Sequence, residues 1–202
     1  GGHASLVMVT LHEDGTVTVQ DNGRGIPIDI HKDENKPALE VILTITGAGA
    51  KFGGKAYQAS GGLHGVGVTV VNALSEWLEA EVYVDGKVYH MRFERGETVT
   101  PLEIRGETKA RGTKITFKPD PEVFQATEFH FETIVKRMRQ LAYLNPGVKI
   151  VCADERTDEE EVFEFKGGIR DFVTFLNQGS DVLHADIVYI EKQDGPLWVE
   201  VA

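Results

Sequence analysis

The stretch Thr16-Val17-Thr18-Val19-Gln20-Asp21-Asn22-Gly23-Arg24-Gly25-Ile26-Pro27 changes character at its middle. Its first five residues are rich in β-branched side chains. With Leu6 to Leu11 and the intervening Glu13-Asp14-Gly15 they predict a hairpin. The next seven are turn formers closed by a proline, and Asp, Asn and Gly dominate turns for conformational reasons alone. Asp21, however, sits at the inner end of an apolar strand, where a buried carboxylate needs a donor. A ligand amino group such as that of adenine would be one, so the segment reads either as a plain turn or as a base-recognition site.

Outward from this hairpin, Pro37 to Ile45 predicts a short helix with the proline at its first position, and Thr46 to Gly62 a long, mobile, glycine-rich loop. Val66 to Leu74 predicts a small apolar helix. Strands follow at Trp77 to Val84 and Lys87 to Phe93, with Asp85-Gly86 as their turn, and at Leu102 to Arg105 and Lys114 to Lys118. The clearest helix carries Phe131, Ile134, Val135, Met138, Leu141, Ala142 and Leu144 on a 3.6-residue stripe and stops before Pro146-Gly147. Strands at Val148 to Ala153 and Glu161 to Phe165, a helix from Ile169 to Leu176, and strands at Ile187 to Glu191 and Leu197 to Val201 complete the order. This mixture predicts an α+β fold, a largely antiparallel sheet covered by helices on one face.

The chain has 202 residues, 41% hydrophobic and 26% charged, which fits one domain spanning 1–202. No apolar run is long enough for a membrane helix and Gly1 to Ser5 has no leader character, so a soluble cytoplasmic protein with no membrane partner is expected. Cys152 is the single cysteine, which excludes an internal disulfide and any multi-cysteine zinc site. Its apolar neighbours point to a buried, inert thiol. A net charge of −11 argues against a broad nucleic-acid face, because affinity for a polyanion rests on clustered Lys and Arg.

Two further segments carry chemistry. Ser60-Gly61-Gly62-Leu63-His64-Gly65-Val66-Gly67 joins the predicted loop to a helix, where glycines admit close backbone approach and free amides attract phosphate oxygens. It is not a Walker A loop, since no Lys-Ser or Lys-Thr follows, and a flexible hinge is the other reading. Gly112-Thr113, before the strand Lys114 to Phe117, is ordinarily structural and gains meaning only from the other two.

Together and in this order the three segments resemble the nucleotide-binding signature of type II topoisomerases, mismatch-repair MutL proteins, histidine kinases and ninety-kilodalton heat-shock chaperones. Val70-Val71-Asn72-Ala73-Leu74-Ser75, Ala48-Gly49-Ala50-Lys51-Phe52, Phe117-Lys118-Pro119-Asp120 and Gly167-Gly168-Ile169-Arg170 narrow the likeness to the gyrase B family, with the ATPase subunit of topoisomerase IV the near alternative. The likeness runs along nearly the whole chain. It implies a Bergerat-type ATP-binding fold in which Asp21 accepts from the adenine amino group, directly and through a water that Thr113 also holds. Gly25, Ile26 and Pro27 would wall the purine, with Ile42 and Ile115 as further apolar positions. Tyr57 would reach the base and Lys51 would screen the triphosphate. Gly62, Leu63, His64, Gly65, Val66 and Gly67 would approach the phosphates, His64 through its backbone more than its ring.

The resemblance also implies ATP as ligand, ATP-competitive inhibitors at the same pocket, and gyrase A and DNA as partners of other domains. It implies ATP-dependent dimerisation of the longer protein and a monomer for these residues alone. In that family a first helix supplies a glutamate base and an asparagine that ligates Mg²⁺. No Glu-x-x-x-Asn occurs in this sequence, so no catalytic base or metal ligand is assigned here, and binding without hydrolysis is expected of these residues. Gln58 and Val84 stand where gyrase B commonly has Lys and Arg. A phosphotransferase of the same superfamily lacks support, since no phosphoacceptor histidine segment is evident.

Overall fold

The computed structural model describes residues 4–48, 65–195 and 197–202. Strands β1 (Leu6–Leu11) and β2 (Val17–Asp21) pair antiparallel as the hairpin reading requires. Asp14 Oδ1 accepts from the Thr16 amide at 3.0 Å and Gly15 takes φ +80°, the local chemistry that turns the chain. A two-residue ladder, β3 (Ile30–His31) with β4 (Lys36–Pro37), leads into helix α1 (Ala38–Thr44). The expectation for Pro37 needs correcting. It lies before the helix with extended ψ 137° instead of in the first helical turn.

Beyond α2 (Gly67–Ala73) come β5 (Ser75–Val84), β6 (Lys87–Glu94), β7 (Glu97–Glu107) and β8 (Gly112–Pro119). Asp85 and Gly86, at φ +52° and +76°, both have the positive φ that a tight hairpin turn of the β5–β6 type demands. Helix α3 (Phe131–Leu144), β9 (Lys149–Asp154), β10 (Glu159–Phe163), helix α4 (Ile169–Leu176) and the hairpin β11 (Ile190–Asp194) with β12 (Leu197–Val201) complete the order.

Among the described residues, eight strands form one sheet in the order β10-β9-β1-β2-β8-β5-β6-β7, antiparallel throughout except for the β1–β9 pair. The two C-terminal strands pair with each other in a separate ladder. Alternation assigns the faces. The cross-strand row Val17, Phe117, Leu78, Phe93 and the row Val19, Ile115, Ala80, Met91 lie on one face. There Leu78, Ala80, Val82, Met91 and Phe93 meet Leu39 and Leu43 of α1, all fully buried. Further along the sheet, Ile150, Cys152 and Phe163 pack against Phe131, Ile134, Met138 and Leu141 of α3. Helix α4 is held on α3 by aromatic stacking, Tyr143 lying 4.9 Å from Phe172 between ring centroids, while Phe165, ahead of α4, stacks on the same tyrosine at 3.8 Å.

The opposite face is polar. Gln20, Lys114, Glu81, His90 and Glu103 follow one another across β2, β8, β5, β6 and β7. The helices and core side chains therefore share the single face expected for them, and the α+β architecture holds.

Candidate functional site

Asp21 ends β2 and is the cross-strand partner of Thr113 in β8. The chain turns sharply after it, so the carboxylate lies over its own turn, with Oδ1 accepting from the Gly23 amide at 2.7 Å. The Thr113 amide donates to it as well. Burial pushes the Asp21 carboxyl above the usual carboxylate range, and the two amides only partly oppose this. A half-buried carboxylate whose ionisation is incompletely compensated is an acceptor in need of another donor.

Glycines make this geometry possible. At Gly23 a Cβ would stand 2.7 Å from Asp21 Oδ1 and displace it. At Gly112, which has φ +131°, a Cβ would overlap the Asp21 carbonyl oxygen. The motif's other residues close round the same point. Thr113 Oγ1 accepts from the Ile26 amide at 3.1 Å, tying the turn back to β8. Gly25, at φ +81°, lies against Val82 and the carbonyl of Gly112. Ile26 and Ile115 are half-buried against the cluster that contains Leu39 and Val82.

The structure thus brings Asp21, Gly25, Ile26, Thr113 and Ile115 together. Ile42 lies half-buried on α1, next in sequence to Leu43 of that same cluster. Pro27 lines a shallow hollow with Asp29, Ile30, His31 and Ala38. Gly65 has φ +62°, while Val66 and Gly67 open α2, whose Val68 and Val71 pack on the cluster shared with Ile26. Lys51, Tyr57, Gly62, Leu63 and His64 lie outside the described residues, as do Gln58 and most of the predicted loop. Val84 packs at the margin of the first cluster.

Three side chains that the sequence reading did not single out support the site. Asn22 Oδ1 accepts from the amides of Ser5 and Leu6 at 2.8 and 3.0 Å, so the residue after the carboxylate anchors the start of β1. Thr69 and Asn72 reach from α2 to carbonyls of α1. Polar residues three apart in an otherwise apolar helix were the available signal. An apolar cavity of about 300 Å³ lies further along β8 between Val70, Leu74, Phe117, Pro119, Phe124 and Phe129. None of the carboxylate motif lines it, and its mostly hydrocarbon walls give a charged ligand little to pair with.

Comparison with known proteins bears on the family and the fold. The histidine kinase-, DNA gyrase B-, and HSP90-like ATPase family matches residues 1–123. The B subunit of the type 2 topoisomerase of Aquifex aeolicus is 53% identical over 201 residues, covering 100% of this chain and 25% of that protein. The B subunit of the DNA gyrase of Thermotoga maritima is 52% identical over 193 residues, 96% of this chain and 30% of that protein. Among solved structures, the 43K ATPase domain of Thermus thermophilus gyrase B in complex with an aminocoumarin superposes with a TM-score of 0.83 at 42% identity, covering 98% of this chain and 50% of that one. The chain spans between a quarter and a third of the length of these curated relatives. With the family match running across the carboxylate turn, the start of α2 and the Gly112-Thr113 strand entry, the chain belongs to the family of histidine kinase-, DNA gyrase B- and HSP90-like ATPases.

Proposed function

We propose that residues 1–202 form a single ATP-binding unit of a longer type II topoisomerase subunit of the gyrase B kind. Asp21 carries this reading: it is a half-buried carboxylate, raised in pKa by burial, at a turn whose glycines let the backbone of the turn and of β8 close around it. The adenine amino group would donate to it, while Thr113, paired with Asp21 across the sheet, would share a bridging water. Ile26, Ile42, Ile115 and Pro27 would wall the purine. Gly65, Val66 and Gly67 would face the phosphates, together with Gly62, Leu63, His64, Lys51 and Tyr57.

A base that presents a carbonyl instead of an amino group would set acceptor against acceptor, which leaves both unpaired. Calorimetric titration of the chain with ATP and with inosine triphosphate tests this. ATP is expected to bind about tenfold to a hundredfold more tightly, and equal affinity would remove Asp21 as the base reader.

In the longer protein, we propose, nucleotide binding closes a dimer and hydrolysis resets it while DNA is passed through and supercoiled, with gyrase A and DNA engaged through other domains and Mg²⁺ accompanying the nucleotide. These 202 residues alone are proposed to be monomeric and to bind ATP without turning it over. Hydrolysis needs a positioned water and a base within hydrogen-bond reach. The helices of this chain offer Glu40-x-x-x-Thr44 and Glu132-x-x-x-Lys136 but no glutamate paired with asparagine. Phosphate release above background from the purified chain would refute this part while leaving the binding site standing.

A further inference from the structure

A helix ends with carbonyls that have no donor of its own to meet them. In α1 the carbonyl of Val41 receives the Ile45 amide at 2.9 Å. The next two are met from another helix: Thr69 Oγ1 donates to Ile42 O at 2.9 Å, and Asn72 Nδ2 donates to Leu43 O at 3.0 Å. Thr69 and Asn72 are three residues apart and so share one face of α2. They are 6% and 0% exposed. Asn72 Oδ1 has no partner among the described residues.

This polar clasp sits in an apolar seam. Leu39 and Leu43 on one side and Val68 and Val71 on the other belong to the cluster that also holds Ile26 and Ile115. Apolar packing alone would fill the seam at several offsets of the two short helices, whereas two directional bonds to consecutive carbonyls select one. A fully buried amide with one oxygen unmet is a costly way to add stability, so what it supplies is position. The helices so joined carry different parts of the proposed nucleotide site: α1 holds Ile42, and α2 begins at Gly67 just after Val66.

Resting on the ATP-binding reading above, we infer that Thr69 and Asn72 are positioning residues for the triphosphate: they fix the phosphate-facing residues at the start of α2 relative to the purine wall on α1. Neither touches the nucleotide. Their removal should cost affinity for the phosphate arm and leave the base contacts intact.

The test compares two probes on the 202-residue chain, a non-hydrolysable ATP analogue and adenosine, by calorimetry and competition. Thr69→Val keeps volume and loses the hydroxyl; it should weaken the analogue about fivefold or more while adenosine stays within about twofold. Thr69→Ser should restore the analogue, and Asn72→Leu should repeat the selective loss. Should Asn72→Leu not fold, the Thr69 pair decides alone. Equal losses for both probes would show a merely structural role and overturn the inference, as would no loss for either. If Asp21→Asn weakens binding of both probes while Thr69→Val changes neither, the ATP reading survives and only the clasp falls. Absence of binding by the wild-type chain would remove the ATP reading itself, and the inference with it.

Discussion

Asp21 and Gly23 form a closed two-residue unit in which the carboxylate accepts from the amide two positions on, at 2.7 Å. The bond pre-sets the side chain without neutralising it, and burial still leaves the carboxyl raised. A raised acid makes its favourable contribution when protonated. That contribution is complete below the unfolded value and is lost as pH rises through the folded one, so ionised Asp21 weighs against the fold at neutral pH. Asp21→Asn keeps an acceptor for Gly23 and removes the charge. Its thermal midpoint at pH 7 should equal or exceed that of the wild type, while adenine-nucleotide affinity falls by about 1.5–3 kcal/mol. A scanning calorimetry trace showing a clear loss of stability would mean that the carboxylate serves the fold instead of a ligand.

The residues that made the site legible are those whose local chemistry has one structural use. Asp85-Gly86 could be read as a hairpin turn because few other dipeptides accept two positive φ values. The α3 stripe could be read because Phe131, Ile134, Met138 and Leu141 bury one face. Asp21 could be read because an apolar strand ended in a charge. Elements without burial on one side escaped. Strand β7 runs from Glu97, ahead of its expected start at Leu102, since as an edge strand carrying Pro101 it lacks a clean alternation. The exposed β11 begins at Ile190 rather than Ile187 for the same reason. The parallel β1–β9 pairing joins residues as distant in sequence as Leu6 and Lys149, which no local pattern encodes. Nor does any local pattern encode the partners of Thr69 and Asn72, which lie on a different helix.

Gly112 tests how tightly β8 is drawn against the turn. Its φ of +131° and the overlap awaiting any Cβ at the Asp21 carbonyl leave no room for adjustment without separating β2 from β8. Gly112→Ala should lower stability by about 2 kcal/mol or more, the sum of an unfavourable backbone region and a clash with main chain. Gly86→Ala, at φ +76° with no described atom within 4 Å of the added Cβ, should cost only the backbone part, about 1 kcal/mol. Urea unfolding of both variants checks the ranking, and equal losses would show that the Asp21 carbonyl yields freely.

Cys152 lies fully buried between β1 and β10, opposite Val9 and Glu161. Burial and the nearby Glu161 carboxylate push its thiol up to about 11. The thiolate is the reacting species, so the native chain at pH 8 should resist a disulfide reagent and react stoichiometrically once unfolded in guanidinium. Rapid labelling of the native chain would show that the β9–β10 edge opens readily.

His90 carries the sharpest pH prediction. It is 0% exposed in the centre of β6, on the polar face, and among the described residues neither ring nitrogen has a hydrogen-bond partner. Glu103 stands 3.4 Å from Nδ1 and Glu79 3.8 Å from Nε2, while Glu81 faces it across β5. Arg105 lies near enough to repel a charged ring. Burial is the largest influence, Arg105 acts with it, and the three carboxylates oppose them, so the imidazole is held below its ordinary value of about 6.5. The unfolded chain then binds the proton more readily than the folded one. Stability should be fully present above about pH 6.5 and decline as pH falls through the folded value. His90→Leu removes the titration, and because no hydrogen bond to the ring is lost, its stability at pH 7.5 should stay within about 1.5 kcal/mol of the wild type. Chemical denaturation at pH 7.5 and pH 5.5 measures both slopes. A smaller loss on acidification in His90→Leu than in the wild type is expected. A wild type stabilised by acidification, with the effect gone in the variant, would instead mean that Glu79 and Glu103 clasp a protonated ring.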